Sequence, residues 1–178
     1  FPWAARGDAV YLNNASTGPL PMRTVAALDE WTRRRAEPHR LGDADLFGVL
    51  ARARAAAARL IGADAGEIAL MPNTSYGLNL AARALPLRAG DVVVSDREFP
   101  ANVYPWMALA ERGVGFELLP CVDGLPDDEA LLGALDRPEV RALAVSWVQF
   151  GSGHRADLAA LGRRCRERGV WFVVDAIQ

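Results

Sequence analysis

The sequence contains no lysine, since all 20 of its strongly basic residues are arginine. No side-chain amine within these 178 residues can therefore act as a nucleophile or form a Schiff base. Histidine and cysteine are also scarce, with two of each. His39 and His154 are too few and too far apart for a zinc site, and Cys121 and Cys165 form no CxxC pair. We therefore expect no metal site and two buried thiols.

Long apolar runs and blocks of like charge are missing as well. No apolar run reaches the roughly 18 residues that a membrane span requires. The opening residues Phe1–Trp3 lack the charged and apolar regions of a signal peptide. Arginine is interleaved with acidic residues at a net charge of -2, which leaves no basic stripe for nucleic acid. These absences predict a cytoplasmic protein with neither a membrane nor a nucleic-acid partner.

Residues 67 onward alternate short apolar runs with helical patterns, which is typical of β-α-β units and a parallel sheet. We predict an α/β protein of three layers, α/β/α, with a mostly parallel sheet. Residues 1–62 are expected to form an N-terminal arm with helices, and residues 63–178 part of a larger domain. The predicted strands are 67–71, 92–95, 116–119, 143–148 and 171–174, and the predicted helices lie near 22–35, 45–61, 75–85, 102–112, 127–136 and 156–168.

Polar segments follow four of the five predicted strands. Parallel strands all end at one edge of a sheet, which is where α/β proteins bind ligands. These segments therefore predict a single pocket at that edge. The four segments are 72–75, 96–100, 149–153 and 175–178.

Two of these segments carry groups suited to a phosphorylated aromatic ligand. Asn73, Thr74 and Ser75 favour a helix start whose amides and hydroxyls would bind a phosphate, although taken alone they indicate an ordinary helix cap first. Asp175 ends an apolar strand, where its carboxylate is costly unless a cation such as a protonated pyridine nitrogen pairs with it. Acidic residues also end strands in nucleotide-binding folds. Phe99 could stack on an aromatic ring or simply pack against its neighbours.

The order of four segments resembles the class V aminotransferase family of fold type I pyridoxal-phosphate (PLP) enzymes. That family includes the cysteine desulfurases, the kynureninases and isopenicillin N epimerase-like proteins. The resemblance implies a partial PLP-binding large domain over residues 63–178. The matching segments are YLNNASTGPLP at 11–21, MPNTSYGLNLAA at 71–82, DREFPANVYPW at 96–106 and VVDAIQ at 173–178.

The resemblance also implies roles for individual residues. Thr74 and Ser75 would hold the PLP phosphate, and Asp175 would pair with the pyridine nitrogen. Gln178 would contact the phenolic oxygen of the ring, and Phe99 would stack over it. Desulfurases typically have at this stacking position a histidine that also transfers protons. Phenylalanine cannot do so, which weakens the desulfurase interpretation.

Other implications concern the substrate and the rest of the enzyme. Asn13, Asn14 and Ser16 would lie close to a small amino-acid substrate, and the protein would be a homodimer. In this family the Schiff-base lysine and a carboxylate-binding arginine follow a D-x-x-Q pattern, which here is Asp175 to Gln178. The resemblance therefore implies that both residues lie beyond Gln178. We therefore expect the amino-terminal part of a longer enzyme, inactive by itself.

Two alternatives remain open. Residues 151–156, Gly-Ser-Gly-His-Arg-Ala, fit the G-x-G-x-x-A dinucleotide fingerprint, with Asp175 as its ribose-binding acid. That pattern would indicate a nicotinamide-dinucleotide-binding Rossmann domain. The absence of lysine would also suit a noncatalytic remnant of the PLP fold.

Overall fold

The computed structural model describes residues 1–7, 9–88, 91–95 and 98–178. These residues form two units, Phe1–Leu70 and Met71–Gln178. Asp96 and Arg97, part of one polar segment noted above, lie outside the described residues.

The first unit is helical. Its longest helix, α3 (Asp43–Ile61), is rich in alanine, begins after Gly42 and is followed by Gly62, which adopts a left-handed conformation with φ 70°. The Gly42 N–H donates to the Asp45 carboxylate at 3.1 Å, which satisfies an amide at the helix start. The predictions at 22–35 and 45–61 are confirmed. The helices are α1 (Pro2–Arg6), α2 (Met22–Arg35) and α3 (Asp43–Ile61), with 3-10 turns at Pro38–Arg40 and Ala65–Glu67.

The second unit contains a four-stranded sheet of order β2-β1-β3-β4, and every neighbouring pair is parallel. The four strands therefore end at one edge, which we call the carboxyl edge. The strands are β1 (Asp91–Ser95), β2 (Gly115–Leu119), β3 (Val140–Ser146) and β4 (Trp171–Asp175). The helices are α4 (Thr74–Ala84), α5 (Tyr104–Met107), α6 (Asp128–Ala134) and α7 (Leu158–Arg168), with 3-10 turns at Pro100–Asn102 and Ala108–Arg112.

Helices cover both faces of this sheet because alternate residues of its strands are apolar on both sides. From β3, Leu143 and Val145 pack against the helices α6 and α7, on what we call the α6/α7 face. Ala142 and Ala144 pack on the opposite α4/α5 face, against α4 and Trp106. The predicted three-layer α/β/α arrangement is thus confirmed.

Three elements differ from the sequence prediction. No described strand covers 67–71: the Asp64 N–H donates to the Glu67 carboxylate at 2.8 Å, and this bond closes a 3-10 turn there instead. Strand β3 ends at Ser146, because Val148 forms an antiparallel bridge with Arg155. The helix expected over 102–112 is divided into short pieces, and Pro105 lies at the start of one of them.

The two cysteines differ in burial, and neither forms a disulfide. Cys165 is buried as predicted, and this burial raises the pKa of its thiol to about 11 against a small opposing effect of Arg166. Cys121 is only half-buried, so the prediction of a second buried thiol is wrong. Across the described ranges, no helix combines the length and apolar character needed to cross a membrane.

Candidate functional site

Asp175 lies at the carboxyl edge as the last residue of β4, paired in register with Ser146 at the end of β3. Residues two apart on a strand share a face, and Val173 packs on the α4/α5 face. The Asp175 side chain is therefore on that face, where it is only 4% exposed. One of its oxygens accepts the Ile177 N–H at 3.1 Å. The structure thus presents a buried carboxylate at the tip of the last described strand.

Helix α4 runs antiparallel to the strands and begins at the same edge. Leu87 and Arg88, which follow α4, line a surface cleft with Arg141, Gly169 and Trp171, residues at the amino ends of β3 and β4. An 11-residue helix is about 16 Å long, roughly the length of a five-residue strand. The N-terminus of α4 therefore lies at the carboxyl edge, on the face that also holds Asp175.

The first turn of α4 is capped by Asn73, whose side-chain oxygen accepts the Tyr76 N–H at 2.8 Å. The next two residues carry hydroxyl groups, with Thr74 half-buried and Ser75 exposed. A helix N-terminus has a positive electrostatic potential, and hydroxyl groups can donate hydrogen bonds to an anion. Asn73 is thus an ordinary N-cap, and the two hydroxyls beside it suit a phosphate.

A buried polar cluster beside Asp175 was not found from the sequence. The Glu98 carboxylate accepts the Ser146 N–H at 2.9 Å, the Ser146 hydroxyl, and the Asn102 side-chain N–H at 3.3 Å. Asn102 in turn accepts the Trp106 indole N–H at 3.2 Å. Burial raises the pKa of the Glu98 carboxyl above its ordinary value; the bonds from Ser146 and Asn102 oppose that shift, and the Asp175 charge adds to it.

Two aromatic rings lie on the surface next to this cluster. Phe99 is 44% exposed, and its ring meets that of Phe150 edge to face, with centroids 5.4 Å apart. Phe150 was also missed, and its position after a predicted strand was the signal that could have identified it. Gln178 is exposed, three residues after Asp175.

The glycine segment 151–156 does not open a helix. Val148 and Arg155 form an antiparallel bridge, and the Gly153 N–H donates to the Gln149 carbonyl at 2.9 Å, which makes a tight turn. Helix α7 begins at Leu158, and its first amides are bonded to the Asp157 carboxylate. The dinucleotide interpretation was therefore wrong, because that fingerprint requires a glycine turn leading directly into a helix N-terminus.

The proposed substrate residues Asn13, Asn14 and Ser16 belong to the first unit and are exposed. The Tyr11 hydroxyl closes their turn, since its oxygen lies 2.9 and 2.8 Å from the carbonyl oxygens of Asn13 and Thr17, which share its single hydrogen. Their role stays a prediction. Within the described part of the chain, no group of three His, Cys, Asp or Glu side chains could hold a metal ion.

Comparison with known proteins gives consistent results. The family model for aminotransferase class-V matches residues 10–178. A probable cysteine desulfurase of Methanothermobacter thermautotrophicus is 33% identical over 96% of this chain and 44% of its own length. An isopenicillin N epimerase of Streptomyces clavuligerus is 34% identical over 93% of this chain and 43% of its own length. The chain thus spans less than half the length of these curated relatives.

Solved structures show the same similarity. The apo cysteine desulfurase of Thermococcus onnurineus superposes with a TM-score of 0.82 at 25% identity, covering 99% of this chain and 45% of its own. A C-DES mutant with glycine covalently linked to its PLP cofactor superposes with a TM-score of 0.85 at 21% identity, covering 99% and 49%. The second similarity concerns the fold alone.

Proposed function

Because the chain belongs to the class V aminotransferase family, we propose that it is the amino-terminal part of a PLP-dependent enzyme acting on an amino acid. One observation carries this proposal: the buried Asp175 carboxylate and the N-terminus of α4 share one edge and one face of the sheet. The expected resemblance to the family is confirmed, and the nicotinamide-dinucleotide alternative is not proposed again.

The residues at this edge fit PLP by their chemistry. A carboxylate almost removed from water favours a cationic partner, which a protonated pyridine nitrogen supplies. The two hydroxyls at the start of α4 lie where the helix dipole favours a dianionic phosphate. When bound, PLP acts as an electron sink for negative charge that develops at the substrate α-carbon.

Each residue then has a definite task. Asp175 would hold a proton on the pyridine nitrogen, and Thr74 and Ser75 would bind the phosphate group. Phe99 would stack on the ring, and the Gln178 amide would donate to the phenolic oxygen. Phe99 has no titratable group, so proton transfer at the substrate requires a different residue. Asn13, Asn14 and Ser16 would contact the substrate.

The lysine that anchors PLP in this family must come from outside these 178 residues, which contain none. We propose that it follows Gln178, because this chain aligns with about 44% of the length of its relatives. We further propose that the whole protein is a cytoplasmic homodimer. Its reaction breaks one bond at the α-carbon of an amino acid, as transamination, lyase or epimerase chemistry.

Spectrophotometric titration of the full-length protein with PLP tests this proposal. Asp175→Asn removes the charge but keeps an oxygen for the Ile177 N–H, so the fold should persist while PLP binding weakens by more than about tenfold. Asp136→Asn is the matched control, because Asp136 pairs with Arg164 at the surface of α7. It should leave PLP binding unchanged.

Two results would contradict the proposal. Equal PLP affinity in Asp175→Asn and Asp136→Asn would show that the Asp175 carboxylate does not contribute to PLP binding. A full-length protein that contains no lysine after Gln178 and binds no PLP would instead favour the noncatalytic remnant of the fold, the alternative that the lysine-free sequence supports.

A further inference from the structure

Glu98 lies at the centre of a buried hydrogen-bond chain that ties a loop to the sheet. Its carboxylate accepts two bonds from Ser146, the last residue of β3, across 48 positions of sequence. It also accepts the side-chain N–H of Asn102. The Asn102 side-chain oxygen in turn accepts the indole N–H of the fully buried Trp106. Glu98 and Asn102 delimit the loop that contains Phe99, so both ends of this loop are fixed.

Phe99, in contrast to Glu98 and Asn102, is exposed at the surface. Its side chain is 44% exposed, and its described ring contact is the edge-to-face one with the exposed Phe150. Its carbonyl accepts the Asn102 N–H at 2.8 Å, so its backbone is held by the same loop. The backbone that carries the Phe99 ring is therefore tied to the sheet through the buried bonds of its neighbours.

We propose that Glu98 is a positioning residue that fixes Phe99 relative to Asp175, by clamping the 98–102 loop onto the end of β3. This inference rests on the proposed function, in which Phe99 and Asp175 contact one PLP ring. Ser146 and Asp175 are register partners in adjacent strands. The clamp therefore holds the loop that carries Phe99 against β3. Strand β3 is the neighbour of β4, which carries Asp175.

The chemistry of the three donors explains why this position holds a carboxyl group. The Ser146 N–H, the Ser146 hydroxyl and the Asn102 amide all point their hydrogens at Glu98. An ionised carboxylate offers only acceptors, whereas a glutamine would replace one acceptor with an N–H group, which cannot accept the Asn102 N–H. Asn102 cannot turn its oxygen toward position 98 without losing the Trp106 indole N–H.

The test measures two properties of bound PLP in the full-length protein, its affinity and its visible circular dichroism, which reports how the ring is held. Glu98→Gln should weaken PLP binding about tenfold and alter the dichroism, because one buried donor loses its acceptor. Glu117→Gln is the matched control, since Glu117 lies on β2 and bonds Arg137 at 2.7 Å. It should change neither property.

A double-mutant cycle distinguishes positioning from general loosening of the fold. If Glu98 acts through Phe99, then Glu98→Gln should have little further effect on affinity or dichroism in a Phe99→Leu background. Full additivity of the two effects would overturn the proposal. Rescue is also expected in Glu98→Gln/Asn102→Asp, because the exchange restores an acceptor for the introduced amide and for the Trp106 indole.

The outcomes separate this inference from the proposed function. A wild-type protein that binds no PLP overturns both. A wild-type protein that binds PLP in an Asp175-dependent way, with Glu98→Gln indistinguishable from Glu117→Gln, overturns the role of Glu98 alone. If Glu98→Gln fails to fold, Ser146→Ala removes one donor while retaining the carboxyl group. It should then give a smaller change in dichroism, and an unchanged spectrum would contradict the clamp.

Discussion

The two faces of the sheet are built differently although they share the same four strands. On the α6/α7 face an apolar cluster is buried, with Leu131, Leu135, Leu143 and Leu161 at its centre. On the α4/α5 face the apolar packing stops near the carboxyl edge, where buried polar side chains replace it. These side chains are Glu98, Asn102, Ser146 and Asp175.

This difference assigns the two faces different tasks. An apolar layer stabilises the fold through burial at about 25 cal/mol per Å². A buried polar group contributes little net stability, but it fixes geometry because an unmade bond is costly. We infer that the α6/α7 face supports the sheet and that the α4/α5 face orients the site. The predictions below separate stability from ligand binding across the two faces.

The largest effect on stability is expected on the α6/α7 face. Leu161 is fully buried between α7 and the sheet, so Leu161→Ala should lower the free energy of unfolding by about 2–5 kcal/mol. Denaturation of the full-length protein measures this change. Leu60→Ala, at a leucine that is 85% exposed in α3, is the control and should change it by about 0.5 kcal/mol or less. Weakened PLP binding in the folded Leu161→Ala variant would contradict the inference that the α6/α7 face serves stability and the α4/α5 face serves the site.

Helix caps on the two faces offer a matched pair of intermediate size. Asn73 caps α4 and Asp157 caps α7, each through its side-chain oxygen. Substitution of either residue by alanine should cost about 1 kcal/mol of stability, measured by denaturation. Of the two variants, only Asn73→Ala should also weaken PLP binding, because Thr74 and Ser75 lie in the first turn of α4. Equal loss of PLP affinity in both variants would contradict the placement of the phosphate at α4.

The smallest effect is a pH dependence confined to the α4/α5 face. The folded-state pKa of Glu98 is raised above 4.5, mainly by burial and in part by Asp175. The stability contributed by its protonated form is therefore fully present below 4.5 and is lost as pH rises through the raised pKa. Unfolding of the protein without PLP should show wild type losing stability relative to Glu98→Gln in this window, by at most about 1.4 kcal/mol per pH unit. A difference that does not vary with pH would show that Glu98 keeps its ordinary pKa.

Sequence patterns predicted the regular parts of this fold because local periodicity determines them. Helix α2 corresponds to an amphipathic helical pattern, and the strands β2 and β4 correspond to short apolar runs. The run at 67–71 is equally apolar, but a local bond between Asp64 and Glu67 forms a turn there and no described strand pairs with it. A short apolar run does not by itself reveal whether a partner strand exists.

The site was predictable where its chemistry follows the ends of strands. Asp175 and Phe99 could be identified as candidates because parallel strands bring their carboxyl ends together. Glu98 could not, because its significance depends on Ser146, which is 48 positions away in sequence. Glu98 is also bonded to Asn102, which in turn bonds the fully buried Trp106, and no local pattern encodes this burial.

The strand order has one further consequence for handling this polypeptide. Among the described residues β4 pairs with β3 alone, so its other side offers a row of main-chain donors and acceptors, with the half-exposed Trp171 at its start. Such an edge readily adds a strand from another molecule. A recombinant product restricted to these 178 residues should therefore self-associate through β4, and its solubility would depend on concentration.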